Sequence, residues 1–451
     1  MVSIAMDAAR RARYSRIVRA LVVLLVAAST AHAGGFGIPE IGVRRTAMGA
    51  VIGRPDDPSA LYHNPAGIVL EDEWTVYIST GVSLLHTSFE LAPWDDGRSS
   101  QFLGIQPQSN GYYAAIKPSR AFGVIPMIAV AGRPLPTLVP KLHLGAGVFV
   151  GNAQGAEFPS DAVTRYHLID AYIIAPQAVL GAAYQVLPTL ALGATVGVIN
   201  IRVHDDQDIY PIVDGMNVSQ IFGTAPHLVL DGSGWAPSWS VGAYGSPLPR
   251  VTWGAAIIGK VDATLHGPVA LTYSQDAFSP GTVNGLESTN ELLPWTFQAG
   301  ANVDVLPKLE VGAEFRYWLY RQFHDQDIDL VGIYYVRELD SVKDYHDSQE
   351  VTGGVRVHGL DFAPDLDLMA GGQYDHSPAP ADTLSLSSPS FSHFGLHSGM
   401  RYSVGRYRFG ASYIHYWYEV PTVTDSITSP PTNFKGYGSN NIITVSVEAK
   451  L

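Results

Sequence analysis

Cysteine is missing from all 451 residues. Its absence excludes disulfide staples, thiolate metal sites, thiol nucleophiles and lipidated cysteine together. Charge is scarce as well: Asp, Glu, Lys and Arg make up 15% of the chain, and the balance is acidic, with a formal net charge of −13. An acidic chain without a basic cluster cannot gather phosphates, so nucleic acid is excluded as a partner. Disorder is excluded too, because 46% of the residues are hydrophobic and so few are charged. Beyond Ala33 there is no apolar run of roughly 20 residues, the length a helical membrane span requires. What is plentiful is glycine, with 45 residues, and tyrosine, with 23. That composition suits strands whose two faces meet different solvents.

Residues 1–33 read as an address. Arg10, Arg11, Arg13, Arg16 and Arg19 form a cationic head, followed by the short apolar run Ala20 to Ala28 and the small-x-small triplet Ala31-His32-Ala33. This is the pattern of a secretory signal peptide, and the apolar run is too short for a transmembrane anchor. The mature chain is therefore exported, either as a soluble β protein or as an outer-membrane barrel.

From Trp74 onward, strand-like segments alternate with Pro, Gly and Asp punctuation. In 308–318, Leu309, Val311, Ala313, Phe315 and Tyr317 point one way while Lys308, Glu310, Glu314 and Arg316 point the other. At the C-terminus Ile443, Val445, Val447, Ala449 and Leu451 oppose Thr444, Ser446, Glu448 and Lys450. This is the two-residue period of half-exposed strands. Short links at Pro188, Pro247-Leu248-Pro249, Pro307, Pro364-Asp365 and Gly405-Arg406, with a longer Pro-rich one between 109–131 and 142–158, join the segments in pairs. Long loops fall near 92–108, 159–169, 204–237, 268–293, 324–348, 378–392 and 421–440. Strict alternation of tight and long connections over about 14 strands predicts an all-β fold, a transmembrane antiparallel barrel with both ends on one side, covering residues 74–451. Closure also removes exposed sheet edges.

Residues 34–73 lack strand periodicity. They carry Ile38, Ile41, Met48, Val51, Ile52, Leu61 and Ile68, which favours packing inside the barrel. At this point the sequence resembles the FadL/TodX family of outer-membrane channels for hydrophobic molecules. Gly34-Gly35-Phe36-Gly37, and the run Asp56-Asp57 through Asn64-Pro65-Ala66-Gly67, are similar to that family's N-terminal hatch, with its Asn-Pro-Ala triplet just before the first strand. Tyr374-Asp375-His376-Ser377-Pro378-Ala379-Pro380 is similar to its Asp-x-Ser-Pro-x-Pro loop. Ser390, Ser392 and His393 depart from the family's charged residues there, and Leu451 replaces the usual terminal aromatic recognised by the outer-membrane assembly machinery.

The resemblance implies a 14-stranded barrel with a luminal hatch at 34–73, carrying hydrophobic substrates, typically long-chain fatty acids, inward without an energy source. Substrate would be captured by outer loops, held in a pocket and released sideways through a kink in the third strand. Physics favours such an exit. Burying a sixteen-carbon chain gains about 12 kcal/mol at roughly 0.8 kcal/mol per methylene, so release into water is costly while release into membrane lipid is not.

In the third segment, 142–158, Gly147, Gly151, Asn152 and Gly155 offer such a gap, since glycine within a strand marks bulges and bends. Glycines that only accommodate bulky neighbours would look the same. For the ligand, a buried cation suits a carboxylate, and Arg202 and Lys343 occupy plausible positions. Each fits a solvated rim charge equally well. The resemblance places Phe36 at the tip of the hatch, facing the ligand, where it could instead pack on the wall. Asp325, Asp327 and Asp329 copy the first half of a calcium loop, but Leu330 and Val336 stand where its Gly and closing Glu belong, so no metal site is expected. No G-x-S-x-G or H-E-x-x-H motif occurs, so neither catalysis nor a cofactor is expected. The rival readings are an aromatic-hydrocarbon channel of the same fold and a structural or adhesive barrel working through its loops.

Overall fold

In the computed structural model the described residues are 35, 37–94, 100, 103–119, 122–209, 212–213, 216–217, 225–273, 281–333, 336–339, 341–387 and 389–451. The signal-peptide reading of 1–33 and the placement of Phe36 lie outside them. The wall is a closed antiparallel barrel of 14 strands. Its first six are β1 Thr75–Leu91, β2 Phe122–Gly132, β3 Leu142–Glu157, β4 Asp170–Leu187, β5 Leu190–Asp208 and β6 His227–Leu248. The seventh is interrupted, giving β7 Val251–Ile258 and β8 Val261–Thr272, and so is the eighth, β9 Thr282–Leu293 and β10 Thr296–Leu306. Then come β11 Leu309–Trp318, the short outer strand β12 Ile328–Val331 that pairs with β9, and β13 Ser348–Val357. β14 Leu366–Asp375, β15 His393–Val404, β16 Tyr407–Tyr418 and β17 Phe434–Lys450 complete the wall, and β17 closes on β1 from Thr75↔Lys450 to Leu91↔Phe434.

The period-2 pattern is realised as two solvents. In β11 the odd positions face outward, with Phe315 exposed, and Glu310, Glu314 and Arg316 are buried in the lumen. β17 repeats this, with Ile443, Val445 and Val447 exposed and Thr444, Ser446 and Glu448 buried. Several strands outrun their expected lengths. The segments 204–208 and 227–237, expected in a loop, continue β5 and β6 and pair from His204↔Asp231 to Asp208↔His227. The segment 268–293 is largely the paired ends of β8 and β9. Polar residues beyond the membrane break the apolar alternation without breaking the ladder. Conversely, 109–119 precedes β2 instead of belonging to it, touching β1 through the bridge Phe89↔Ile116 and the bond from Tyr113 N to Leu91 O at 2.8 Å.

The lumen holds residues 37–70. Gly42 and Gly49, with φ of 84° and 82°, flank the short helix α1 Val43–Met48, whose six residues are all buried. Positive φ at each end is open to glycine at no steric cost. A second turn, α2 Ala60–His63, leads to Asn64, whose Oδ1 accepts from Ala66 N at 3.2 Å and caps the 3-10 helix Pro65–Leu70. Pro65 at its first position removes a donor that would have no partner there.

Candidate substrate pathway

Two faces of the N-terminal segment meet two different walls. Toward β1–β5 the contact is apolar: Ile41, Ala60, Leu61 and Ile68 pack with Tyr77, Met127, Phe149 and Val179 in one cluster. Toward β10–β15 it is ionic. Arg44 pairs with Glu310 and, at 3.3 Å, with Asp56. Arg45 reaches Glu350 at 2.7 Å and Glu314 at 3.5 Å. Asp56 also receives Arg401 at 2.9 Å and Arg356 at 3.3 Å, and three guanidinium groups hold its carboxyl well below the usual range against the cost of burial. Glu314 Oε2 accepts from the backbone N–H of Val51 and Ile52 at 2.7 and 2.9 Å.

His63 sits where the two faces meet. Its Nδ1 accepts from Arg316 at 3.1 Å and its Nε2 donates to Ile41 O at 2.7 Å. Burial and Arg316 push its pKa well below the ordinary value, so the ring stays neutral. The triplet Asn64-Pro65-Ala66 braces the segment against β6, with Asn64 Nδ2 donating to Ala243 O at 2.9 Å.

The wall has a gap where the third strand bends. β2 and β3 pair only from Gly132↔Leu144 to Met127↔Phe149, so Phe122–Pro126 and residues 150–157 face each other without a ladder. The register of β3 on β4 skips between Val150 and Ala153. Gly37 bridges Asn152, and Ile38 N donates to Gly151 O at 2.9 Å, so the N-terminal segment takes the place of β2 there. At the outer end Ser119 N donates to Glu157 O at 2.7 Å. A Cβ on Gly151 would stand 2.9 Å from the Tyr62 ring, and one on Gly155 would stand 2.7 Å from Ala171 O. Gly147 lies lower, within the paired ladder and against Leu61.

Above the segment lies an apolar cluster that includes Ile199, Ile201, Leu265, Tyr320, Phe323 and Tyr345. Lys343 is buried beside it. Burial lowers its pKa to about 8, with Glu291 and Asp205 opposing the shift. Gly35 reaches this level, since a Cβ there would fall 2.6 Å from Tyr320 Oη. The structure thus brings Lys343 and Gly35 toward one apolar cluster. It does not bring Arg202, which is exposed on the outward parity of Val196 and Val198 and donates from Nε to Asn200 Oδ1 at 2.7 Å. Residue 202 lies within the expected strand and is carried outside on the same parity as Leu192, Val196 and Val198. An outer cluster of Phe89, Phe158, Phe391 and Phe434 covers the top, with Phe89 and Phe434 ring centroids 5.6 Å apart.

Sequence reasoning missed the ionic seat. Its partners were visible as charged residues on the non-lipid parity of β11, but their pairing with Arg44, Arg45 and Asp56 spans 250 residues or more of chain. Among the described residues no group of acids and histidines is placed to hold a metal ion, and no helix is long and apolar enough to cross a membrane.

Fold and site define a membrane-wall barrel whose N-terminal segment packs against and pairs with inward side chains of its strands. The family model Outer membrane protein transport protein (OMPP1/FadL/TodX) matches residues 24–428, and the chain belongs to that family. It is accordingly a bacterial outer-membrane protein of a family that transports hydrophobic small molecules. Its fold is similar to a Pseudomonas aeruginosa FadL homologue at TM-score 0.73 and 15% identity, covering 92% of this chain and 100% of that one. It is also similar to the Pseudomonas putida toluene transporter TodX (TM-score 0.66, 16% identity, 93% and 98% covered) and the Ralstonia pickettii toluene transporter TbuX (0.65, 14%, 94% and 99%). No curated protein matches by sequence.

Proposed function

We propose that this protein is a passive channel for long-chain fatty acids, gated by residues 34–73 acting as a hatch and releasing substrate sideways between β2 and β3 into the outer membrane. The observation that carries the reading is the unpaired stretch of wall at residues 150–157, occupied from inside by Gly37 and Ile38. A backbone gap lined by an exchangeable segment is what an oily substrate needs. Going downward it would meet the Arg44–Asp56–Glu310–Arg401 network, and burying an alkyl chain there would separate charges at a cost of several kcal/mol. Going sideways it enters hydrocarbon and loses none of its roughly 0.8 kcal/mol per methylene.

Movement begins in this scheme when a ligand entering the apolar cluster displaces Gly37 and Ile38 from β3, opening the gap while the ionic seat stays fixed. Lys343 favours an acid as cargo, because an ammonium at the edge of an apolar cluster pairs with a carboxylate. Phe36 is proposed to touch the ligand on account of its neighbour Gly35; Arg202 is left out of the ligand set. No residue is assigned a catalytic part and no cofactor is required.

The experiment is uptake of labelled oleate and of toluene by a deletion strain expressing the wild type, Gly151→Val/Gly155→Val or Lys343→Met. The double variant should slow both substrates about tenfold or more while the barrel still folds, and Lys343→Met should slow oleate alone. Unimpaired uptake in the double variant would end the sideways route. Equal effects of Lys343→Met on both cargoes would move the assignment to aromatic hydrocarbons.

A further inference from the structure

The outer wall carries a hollow away from the β2–β3 gap. It has a volume of about 630 Å³ and lies across β5, β6, β7, β10 and β11, with Leu192, Val241, Ile257, Phe297 and Phe315 at its rim and the small outward residues Ala255 and Ala299 at its floor. That volume falls within the roughly 300–1,000 Å³ of small-molecule pockets, which are likewise mostly apolar. The rim residues Leu192, Val241, Phe297 and Phe315 are 38–50% exposed, so the hollow opens to the lipid side. The ladders behind it are continuous, β5 with β6, β6 with β7, and β7 with β10. It is therefore a recess and not a second exit.

We infer that this hollow is a binding site for one anionic membrane lipid, with an acyl chain in the recess and the phosphate at Lys260. The outer rim has the chemistry of a lipid headgroup level. Trp239 and Trp295 meet edge to face at 5.4 Å, Trp295 stacks on Phe297 at 6.4 Å, and Lys260 follows Ile257 by three residues at the break between β7 and β8. Tryptophans of barrels gather at the membrane interface. The Lys260 ammonium is 42% exposed and has only a loose contact with Asp262 at 3.9 Å. Below that level no charged side chain lines the recess, so only hydrocarbon suits it. A second copy of the chain does not fill it, because a twofold interface sets the same patch against itself and two concave surfaces leave a void.

The site bears on the lumen. Directly behind the recess, Cβ atoms on Gly193 and Gly242 would fall 2.4 Å from Ala66 N and 2.1 Å from Asn64 Oδ1. Only the thickness of the wall backbone separates the lipid from the Asn64-Pro65-Ala66 brace, so an occupied recess stiffens the strands on which that brace rests.

The test uses the full folded barrel in detergent, stripped of lipid and offered dioleoyl phosphatidylglycerol or dioleoyl phosphatidylcholine, with retained lipid read by native mass spectrometry. Wild type should keep one phosphatidylglycerol. Ala255→Phe/Ala299→Leu, which fills the recess, should lower that fraction at least tenfold. Lys260→Glu, an exposed change that does not depend on the repacking, should weaken phosphatidylglycerol about tenfold and leave phosphatidylcholine unchanged. Equal retention by wild type and the filled variant overturns the site, as does a dimer that forms while neither lipid is bound. An equal loss of both lipids in Lys260→Glu overturns the assignment of the phosphate.

Discussion

The two halves of the barrel hold the same N-terminal segment by opposite means. Against β1–β5, Leu61 lies over glycines: Cβ atoms on Gly145 and Gly181 would meet its methyls at 3.1 and 2.4 Å. Against β10–β15, Arg44, Arg45 and Arg54 reach carboxylates that are themselves held by Arg316, Arg356 and Arg401. Apolar contact is non-directional, so a segment can slide on it while losing area gradually. A buried ion pair is all or none, because separating it leaves a charge without compensation. The gap in the wall, between β2 and β3, lies on the apolar side. In the proposed scheme the ionic half fixes the segment and the apolar half yields.

The largest effect should come from the ionic half. Arg45→Met removes one of the two guanidinium groups on Glu350 and Glu314, both with side chains fully buried, and leaves them only Arg316 at 3.6 and 3.0 Å. Breaking such a pair from one side costs about 3–5 kcal/mol. The segment should leave the lumen, raising ion conductance in planar bilayers and exposing it to protease while the β content is retained. Conductance equal to wild type would show that the charged half is not the anchor.

A smaller effect is expected across the lumen. Leu61→Ala leaves a cavity against the glycines of β3 and β4, at roughly 2–5 kcal/mol for a fully buried leucine and toward the lower end where the site can collapse. The comparison predicts a different phenotype as well as a milder one. The ionic seat stays closed, conductance stays low, and substrate release between β2 and β3 becomes faster. A leak as large as that of Arg45→Met would erase the distinction between the halves.

How much of this was legible beforehand follows from the range of the physics involved. The wall was readable because alternation is local: Leu309, Glu310, Val311 and their neighbours announce two solvents within five residues. The bend in β3 was readable for the same reason, since Gly151 and Gly155 sit inside a strand-like run. Strand ends were less so, because the ladder from His204 to Asp208 persists where hydrophobic alternation stops. Arg202, inside the expected strand, is exposed on its outward parity. The ionic seat was hidden altogether. Glu310 appears in sequence as an ordinary polar position, and only the fold brings it within reach of Arg44, Arg54 and Arg356. Charge pairing at that separation leaves no periodic trace.

The smallest expected effect separates the halves by pH. Asp56 is held well below the ordinary carboxylate value of 3.8 by Arg401, Arg44 and Arg356. A depressed acid contributes stability that is present above its unfolded value and lost only as pH falls through its folded one. From pH 7 to pH 5 the contacts of Asp56 with Arg44, Arg356 and Arg401 should therefore not change. Glu71, at the exit of the segment into β1, behaves the other way. Burial pushes its pKa up to about 8, with Glu448 and Asp57 adding to the rise and the Thr75 hydroxyl, donating at 2.6 Å, opposing it. A raised acid contributes stability that is full below its unfolded value near 4.5 and lost as pH rises through about 8. Conductance should thus rise modestly as pH is raised from about 4.5 toward 8 and level off above about 8, and Glu71→Gln should abolish that dependence. Opening under acid instead would mean that Asp56 is not clamped by its three arginines, and that the charged half of the lumen is the side that moves.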